Sequence, residues 1–509
     1  MAEPNRRMIT LSIMAATIMQ TLDTTIANVA LPHMQGTMSA SQDQIAWVLT
    51  AYIVAAAIAT PLTGWVVDRF GQKRVFLASV IGFTIASALC GLSNSLAEIV
   101  LARLLQGVFG AGLVPMAQVV LMDINPPEKQ GSALAVWGMG VMVGPILGPT
   151  LGGWLTDTYD WRWVFFINIP VGALATWGIW RYLHPHPATR RMRFDVFGFA
   201  TLSLAIGALQ MLLDRGQQND WFSSVETWVE AVAASVALVY FLAHTALTPP
   251  QRSFLDYRLL KNRNYVSGLG FIFIVGLVLY ATRALLPTML ENLLDYPVTL
   301  TGLVTAPSGM GTMLSMLIAG RLIGRVDLRL LLLTGFALTA FSLWQMSGYS
   351  LDIDQAAVIW PGVIQGIGLG LVFVPLSAAT FVTLSAEMRS QGTAIFSLVR
   401  NIGSSIGISM VQALLVRGTV SAHAALAEHI TPLNPAWTNP AVSRAYDLAH
   451  PHSAAALDAL IERQASMIGY LDDYRLMMVL TVIALPFIFL LRSPRRSSMA
   501  VIEPQALVE

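Results

Sequence analysis

The sequence predicts an all-α integral-membrane protein of fourteen helices, two six-helix bundles in parallel pseudo-repeat plus two inserted helices. Three observations lead there. Apolar runs long enough to cross a bilayer recur from end to end of the chain. The loops between them alternate between basic and acidic character. The two halves echo each other at an offset near 255–260 residues.

Composition closes off the soluble classes first. Apolar residues make up 55% of the chain and charged residues 12%, roughly half the share in soluble domains. The net charge of +1 argues against a nucleic-acid surface. Cys90 is the single cysteine, so neither a disulfide framework nor a cysteine metal site is expected. The first apolar run follows Arg6 and Arg7, but it is too long for a signal sequence and no small-residue cleavage site follows it.

The spans are expected near 9–31, 45–66, 75–94, 98–118, 133–156, 161–183, 196–213, 227–246, 265–289, 300–323, 328–346, 356–380, 392–416 and 474–492. With the N-terminus inside, the cytoplasmic loops carry Arg69, Lys73, Arg74, Lys129, Arg190, Arg191, Arg193, Arg252, Arg258, Lys261, Arg263, Arg321, Arg325, Arg329 and Arg389, and the C-terminal tail adds Arg492, Arg495 and Arg496. The opposite loops carry Asp43, Glu98, Asp157, Asp160, Asp220, Glu291, Asp295, Asp352 and Asp354. This positive-inside pattern also checks the span count, since one missed helix would invert every later loop. Residues 1–190 are expected to form the first bundle, 191–250 the inserted spans 7 and 8, and 251–509 the second bundle. A long outer loop, 417–473, stands between the last two spans and is read as either a small helical element or a connector.

The repeat rests on short matches. Leu31-Pro32-His33-Met34 corresponds to Leu286-Pro287-Thr288-Met289, and Gly64 opens a basic loop as Gly320 does. Gln106-Gly107 precedes Pro115 as Gln365-Gly366 precedes Pro375. The offset contains an even number of spans, so the copies share an orientation, as in two-bundle secondary transporters.

Span 1 carries Asp23 in an otherwise uncharged stretch, where an ionised side chain costs about 2.5–3.5 kcal/mol even on lenient insertion scales. Ala16, Gln20, Asp23, Ala27 and Ala30 share one narrow face, which suits a cavity wall or a tight packing surface. Between spans 2 and 3 lies Gly64-Trp-Val-Val-Asp68-Arg69-Phe-Gly71-Gln72-Lys73-Arg74, a tight turn with acid and bases together. Span 4 holds Arg103, Gln106, Gly107 and Gly110, with the arginine bound to point inward or meet an acid. Span 5 repeats small residues at Gly140, Gly144, Pro145, Gly148, Pro149, Gly152 and Gly153, a smooth groove kinked by proline. Span 6 opens with Trp161-Arg-Trp-Val-Phe-Phe-Ile-Asn168-Ile-Pro170-Val-Gly172.

These strings resemble the major facilitator superfamily. The loop after span 2 is similar to its signature G-x-L-a-D-r-x-G-r-k, with Gln72 where a base is usual. Arg103 to Gly107 resembles its R-x-x-q-G motif, which implies a part in proton transfer. The doubled glycine–proline repeat of span 5 resembles the motif of its antiporters. The runs Leu22 to Pro32 and Trp161 to Gly172 look like the fourteen-span drug:proton antiporters, and the outer loop before the last span looks like their EmrB-like branch. The resemblance implies a major facilitator fold in a bacterial inner membrane, both termini cytoplasmic, and proton-driven export of hydrophobic or weakly acidic compounds by alternating access. It further implies an EmrA-like periplasmic adaptor and a TolC-like outer-membrane channel as partners. Asp23 and Arg103 would couple protons, and Gly64, Asp68, Arg69, Gly71, Lys73 and Arg74 would gate.

For a substrate cavity the residues to consider are Gln20, Asn28, Gln106, Arg283, Glu291, Arg400, Trp137 and Tyr280, with Met142, Met211, Phe373 and Phe396 as further apolar members. Arg283, the repeat counterpart of Asn28, either meets an anionic substrate or pairs with Glu291 on its own helix. Arg400 shares a face with Gly403, Ser404 and Gly407. A proton-coupled nutrient symporter on the same scaffold is the alternative. A membrane enzyme stands further off. No histidine has carboxylate or cysteine partners at metal spacing inside a span, and neither a P-loop nor a Gly-x-Ser-x-Gly elbow is present. No cofactor and no metal are expected.

Overall fold

The computed structural model describes residues 5–184, 194–249, 252–431, 434 and 450–491. Fourteen helices in it are long and apolar enough to cross a membrane. Span 1 is Arg6–Met38, span 2 Gln42–Phe70, span 3 Gln72–Leu92, span 4 Leu96–Ile124, span 5 Pro127–Thr158 and span 6 Trp163–Tyr182. The inserted pair is span 7, Val196–Arg215, and span 8, Val225–Leu247. The second bundle is span 9, Arg263–Asn292, span 10, Val298–Leu322, span 11, Leu328–Met346, span 12, Gln355–Phe381, span 13, Ala386–Glu428, and span 14, Pro451–Phe487. Arg190, Arg191, Arg193, Arg492, Arg495 and Arg496 of the basic loops and tail lie outside the described residues.

Local chemistry sets the ends. Ser41 and Gln44 form a reciprocal capping box that opens span 2. Gly71 ends it at φ +88°, a conformation that favours glycine, so span 3 restarts at once on a new axis. Span 4 breaks after Gly110 and resumes at Leu113, and span 6 breaks at Ile167. Large apolar side chains such as Leu101, Leu174, Trp177, Val239 and Leu247 point outward, the inverse of a soluble surface and the pattern expected in lipid.

Within the first bundle spans 1 and 5 pack together, as do spans 2 and 4 and spans 3 and 6. The second bundle matches this with span 9 on span 13, span 10 on span 12, and span 11 on spans 12 and 14. Two seams join the bundles: span 5 lies along span 10, and span 2 along span 13. The second seam is tightest at the basic-loop face. There a Cβ on Gly64 would stand 3.0 Å from the Gln391 Cα, and Arg389 Nη1 donates to Asp123 Oδ1 at 3.3 Å. Span 7 covers this seam from outside, and span 8 packs on span 7. Ser405 of span 13 donates to Gln210 at 2.9 Å, and Thr50 of span 2 donates to Asp214.

Spans 13 and 14 are longer than expected. Helix continues through residues 417–428 and 451–473, so the helical alternative holds for these parts of the outer segment, as extensions of the two spans. Alanine-rich sequence with few breakers favours helix without needing apolar periodicity, and Pro451 sits at a helix start, where proline is tolerated. The 43 residues of span 13 make a rod about 64 Å long, about twice the hydrocarbon thickness. Its outer part pairs with span 14: Gly418 meets Gly469, and His423 Nε2 lies 3.0 Å from Asp458 Oδ1.

Candidate functional site: a buried ion pair beside a glycine groove

Asp23 is buried on span 1, facing spans 4 and 6. Arg103 Nη1 donates to its Oδ2 at 2.7 Å. Its Oδ1 accepts from Gln106 Nε2 and from Asn168 Nδ2, each at 2.8 Å. The guanidinium is equally well held. Nη1 also reaches Gln106 Oε1 at 2.7 Å, Nε donates to the Val48 carbonyl at 3.1 Å, and the Tyr52 ring lies 4.6 Å from Cζ. Asn168 donates in turn to Ser87 Oγ at 2.9 Å, and Ser87 donates to the Phe165 carbonyl at 2.9 Å. Acid and base side chains are no more than 1% exposed. A pair this deep persists only when its other polar atoms find partners, and here both carboxylate oxygens and the guanidinium Nε and Nη1 do.

Arg103, expected to point inward or meet an acid, meets Asp23, while Asn168 was given no role in advance. The available signal was an asparagine inside an apolar span, which needs a partner as any buried amide does. Gln106 moves from its expected place. Grouped with the substrate cavity, it is fully buried and spends its amide on Asp23 and Arg103. It lies three residues from Arg103, on the same helical face, and so is drawn into the same network.

The glycines of span 5 face span 1. A Cβ on Gly144 would stand 2.5 Å from Thr21 Oγ1, and one on Gly148 would stand 2.1 Å from Thr25 Oγ1, so neither position admits a side chain. Thr25 Oγ1 donates to the Gly144 carbonyl at 3.1 Å. A Cβ on Gly140 would meet Met14, and one on Gly152 would meet Ile26, while Gly153 has open space beside Val29. Pro145 and Pro149 lie within the same unbroken helix. The opposite face of span 5 meets span 10, where Ile146 fills the space beside Gly309. Span 5 therefore touches both the Asp23 helix and the second bundle.

In the basic turn, Arg69 lies over Trp65 at 5.7 Å and Lys73 Nζ donates to the Trp180 carbonyl at 2.7 Å. Arg74 is exposed, and Asp68 is engaged within the structure.

The other cavity residues scatter. Asn28 is exposed, and Gln20, Tyr280 and Glu291 are partly buried. Trp137, expected at a cavity wall, has no accessible surface and stacks on Phe373 of span 12 at 6.5 Å. Arg283 does not pair with Glu291: eight residues of helix separate them by about 12 Å, well past the three- or four-residue reach of such pairs. Its Nη2 lies 3.6 Å from Met142 Sδ on span 5. Arg400 Nη2 reaches Asn401 Oδ1 at 3.3 Å. Among the described residues neither arginine forms an ion pair.

Comparison with known proteins places this geometry. The model of the Major Facilitator Superfamily matches residues 13–408. The Fatty acid resistance protein FarB of Neisseria gonorrhoeae is 35% identical over 496 residues, covering 96% of each chain. The Multidrug export protein EmrB of Escherichia coli K12 is 37% identical over 428 residues, covering 84% of this chain and 83% of its own. Among solved structures, the proton:xylose symporter XylE superposes with a TM-score of 0.59 at 13% identity, covering 95% of both chains. That likeness speaks for the fold alone.

Proposed function

We propose a proton-driven exporter, on the premise that this chain belongs to the Major Facilitator Superfamily and to its EmrB-like branch. It is a multi-pass membrane transporter and not an enzyme. The finer reading is an antiporter of a bacterial inner membrane that exports hydrophobic or weakly acidic toxic compounds by alternating access, termini in the cytoplasm. The basic loops support that orientation. The 1–190, 191–250 and 251–509 division fits the packing pairs of the two bundles. The relatives named for multidrug export and fatty acid resistance support export over nutrient uptake.

One observation carries the mechanism: Asp23, paired with Arg103 of span 4, lies on the helix that fills the span 5 glycine groove. A proton arriving on Asp23 would neutralise the acid and release Arg103, Gln106 and Asn168 from a shared carboxylate. Span 1 would then sit differently against span 5, and span 5 reaches the second bundle. Substrate and proton would thus use one moving contact. The close approach of Gly64 to Gln391 lies on the seam that would part when the cavity opens inward, with Gly71 and Lys73 on the turn beside it. Asp23→Asn is expected to abolish proton-gradient-dependent export while the protein still reaches the membrane. Full export by that variant would sink the reading. Counterflow in vesicles separates exporter from symporter.

Arg283 favours weak acids within this reading, because a guanidinium without a carboxylate suits an anionic ligand. The projecting hairpin of spans 13 and 14 suits the docking of a periplasmic adaptor that leads to an outer-membrane channel.

A further inference from the structure

The outer surface of spans 3 and 6 carries a groove of about 390 Å³ that the transport reading does not use. Its walls are apolar: Ile81 and Ile85 from span 3, and Ile169, Trp177 and Trp180 from span 6. It exists because the two helices come close. A Cβ on Gly172 would stand 2.0 Å from Thr84 Oγ1, so the floor is helix backbone while the bulky side chains rise at the sides. Trp177 and Trp180 are more than half exposed. On a face that meets hydrocarbon, the only occupant at hand with this shape is an acyl chain.

The end of the groove is cationic. Lys73 Nζ sits 2.7 Å from the carbonyl of Trp180, itself a wall residue, so an ammonium stands at the rim. Arg181 follows in sequence and lies against Tyr182 at 5.6 Å, and Arg74 is exposed beside Lys73. Span 1 starts at the same level. Gly178 of span 6 meets Ser12 of span 1, and Arg6 and Arg7 begin that helix, both exposed. Among the described residues none of these five cations forms an ion pair. Aromatic side chains between the apolar channel and the bases suit the level of lipid head groups.

We propose that this groove binds one anionic glycerophospholipid of the leaflet at the basic-loop face, an acyl chain between spans 3 and 6 and the phosphate at Lys73, Arg74 and Arg181. Both halves of the ligand are needed. The groove alone would accept any lipid, and the bases alone would collect anionic lipids loosely around the rim.

Native mass spectrometry of the full chain, with phosphatidylglycerol or phosphatidylcholine titrated in, tests this. One phosphatidylglycerol should be retained where phosphatidylcholine is lost. Arg181→Gln should weaken that retention about fivefold, the effect of one surface cation. Ala173→Trp, at an exposed position in the groove, should abolish it, whereas Val239→Trp on the inserted pair should not. Equal retention of phosphatidylcholine would overturn the proposal. So would undiminished phosphatidylglycerol binding by Ala173→Trp, which would reduce the site to diffuse surface charge. A melting temperature near that of the parent chain confirms that each variant is folded.

Discussion

In the first bundle the buried carboxylate of Asp23 receives Arg103, Gln106 and Asn168 from two other helices, whereas in the second the guanidinium of Arg283 reaches the thioether of Met142. Arg400 stands deeper in the same bundle, level with Gly276, and Arg283 lies about 10 Å further along span 9. The first bundle thus pairs its buried charge internally, while the second presents two cations at successive depths that form no ion pair among the described residues. Parallel repeats with the same helix packing have diverged in electrostatics. A division of labour follows: one half carries a charge pair that a proton can break, and the other an unmet charge that a ligand can satisfy.

The strongest test of this contrast removes the base from the self-cancelling half. Arg103→Ala leaves Asp23 buried beside two amides and no cation. Breaking such a pair from one side costs about 3–5 kcal/mol. The expected result is a poorly folded protein without export, read by its melting temperature and by drug efflux. Recovery of folding, but not of proton-coupled export, in Asp23→Asn/Arg103→Gln would show that the charge pair serves transport and that the fold tolerates its neutral copy.

Next in size is the contact through which the first bundle reaches the second. Gly148→Val places a branched side chain where Thr25 already sits. Overpacking of this kind costs about 1–3 kcal/mol. The variant should lose stability and turnover together, whereas Gly153→Ala, beside open space, should keep both.

In the second bundle Arg283→Ala should raise the KM for anionic substrates by about tenfold, the value of one charge-assisted hydrogen bond, and leave cationic substrates unchanged. Equal losses for both classes would assign Arg283 to packing against Met142 and erase the proposed contrast.

Much of this was legible in the sequence, and the reason differs by feature. The fourteen spans could be read because an apolar stretch of spanning length has few other uses. That Arg103 would point inward or meet an acid could be read because a charge inside a membrane needs compensation, and Asp23 proved to be the acid it meets. Asn168 could not be assigned as the third donor, since period and spacing show which residues share a face of one helix and not which helix that face meets. Gln106 was grouped with the cavity for the same reason: inward on span 4 turned out to mean toward span 1. The outer parts of spans 13 and 14 stayed open between helix and connector because a polar, alanine-rich helix packed on its twin carries no hydropathy signal.

The smallest effect concerns the seam between the bundles. Arg389 and Asp123 meet at 3.3 Å with side chains about one-fifth exposed, so their pair contributes at most about 1 kcal/mol and weakens with salt. Around them stand contacts that do not depend on charge, Gly64 against Gln391 and Gly131 against Ile323. Arg389→Gln should therefore shift the balance between open and closed forms of the basic-loop face by about fivefold at most. Spin labels on spans 4 and 13 would record the distance distribution, and high salt should produce the same shift in the parent chain. A larger shift would mean that charge holds this gate. No shift would leave it to backbone packing at Gly64, in which case the polar contacts between the bundles would matter for specificity at Arg283 and hardly at all for closure.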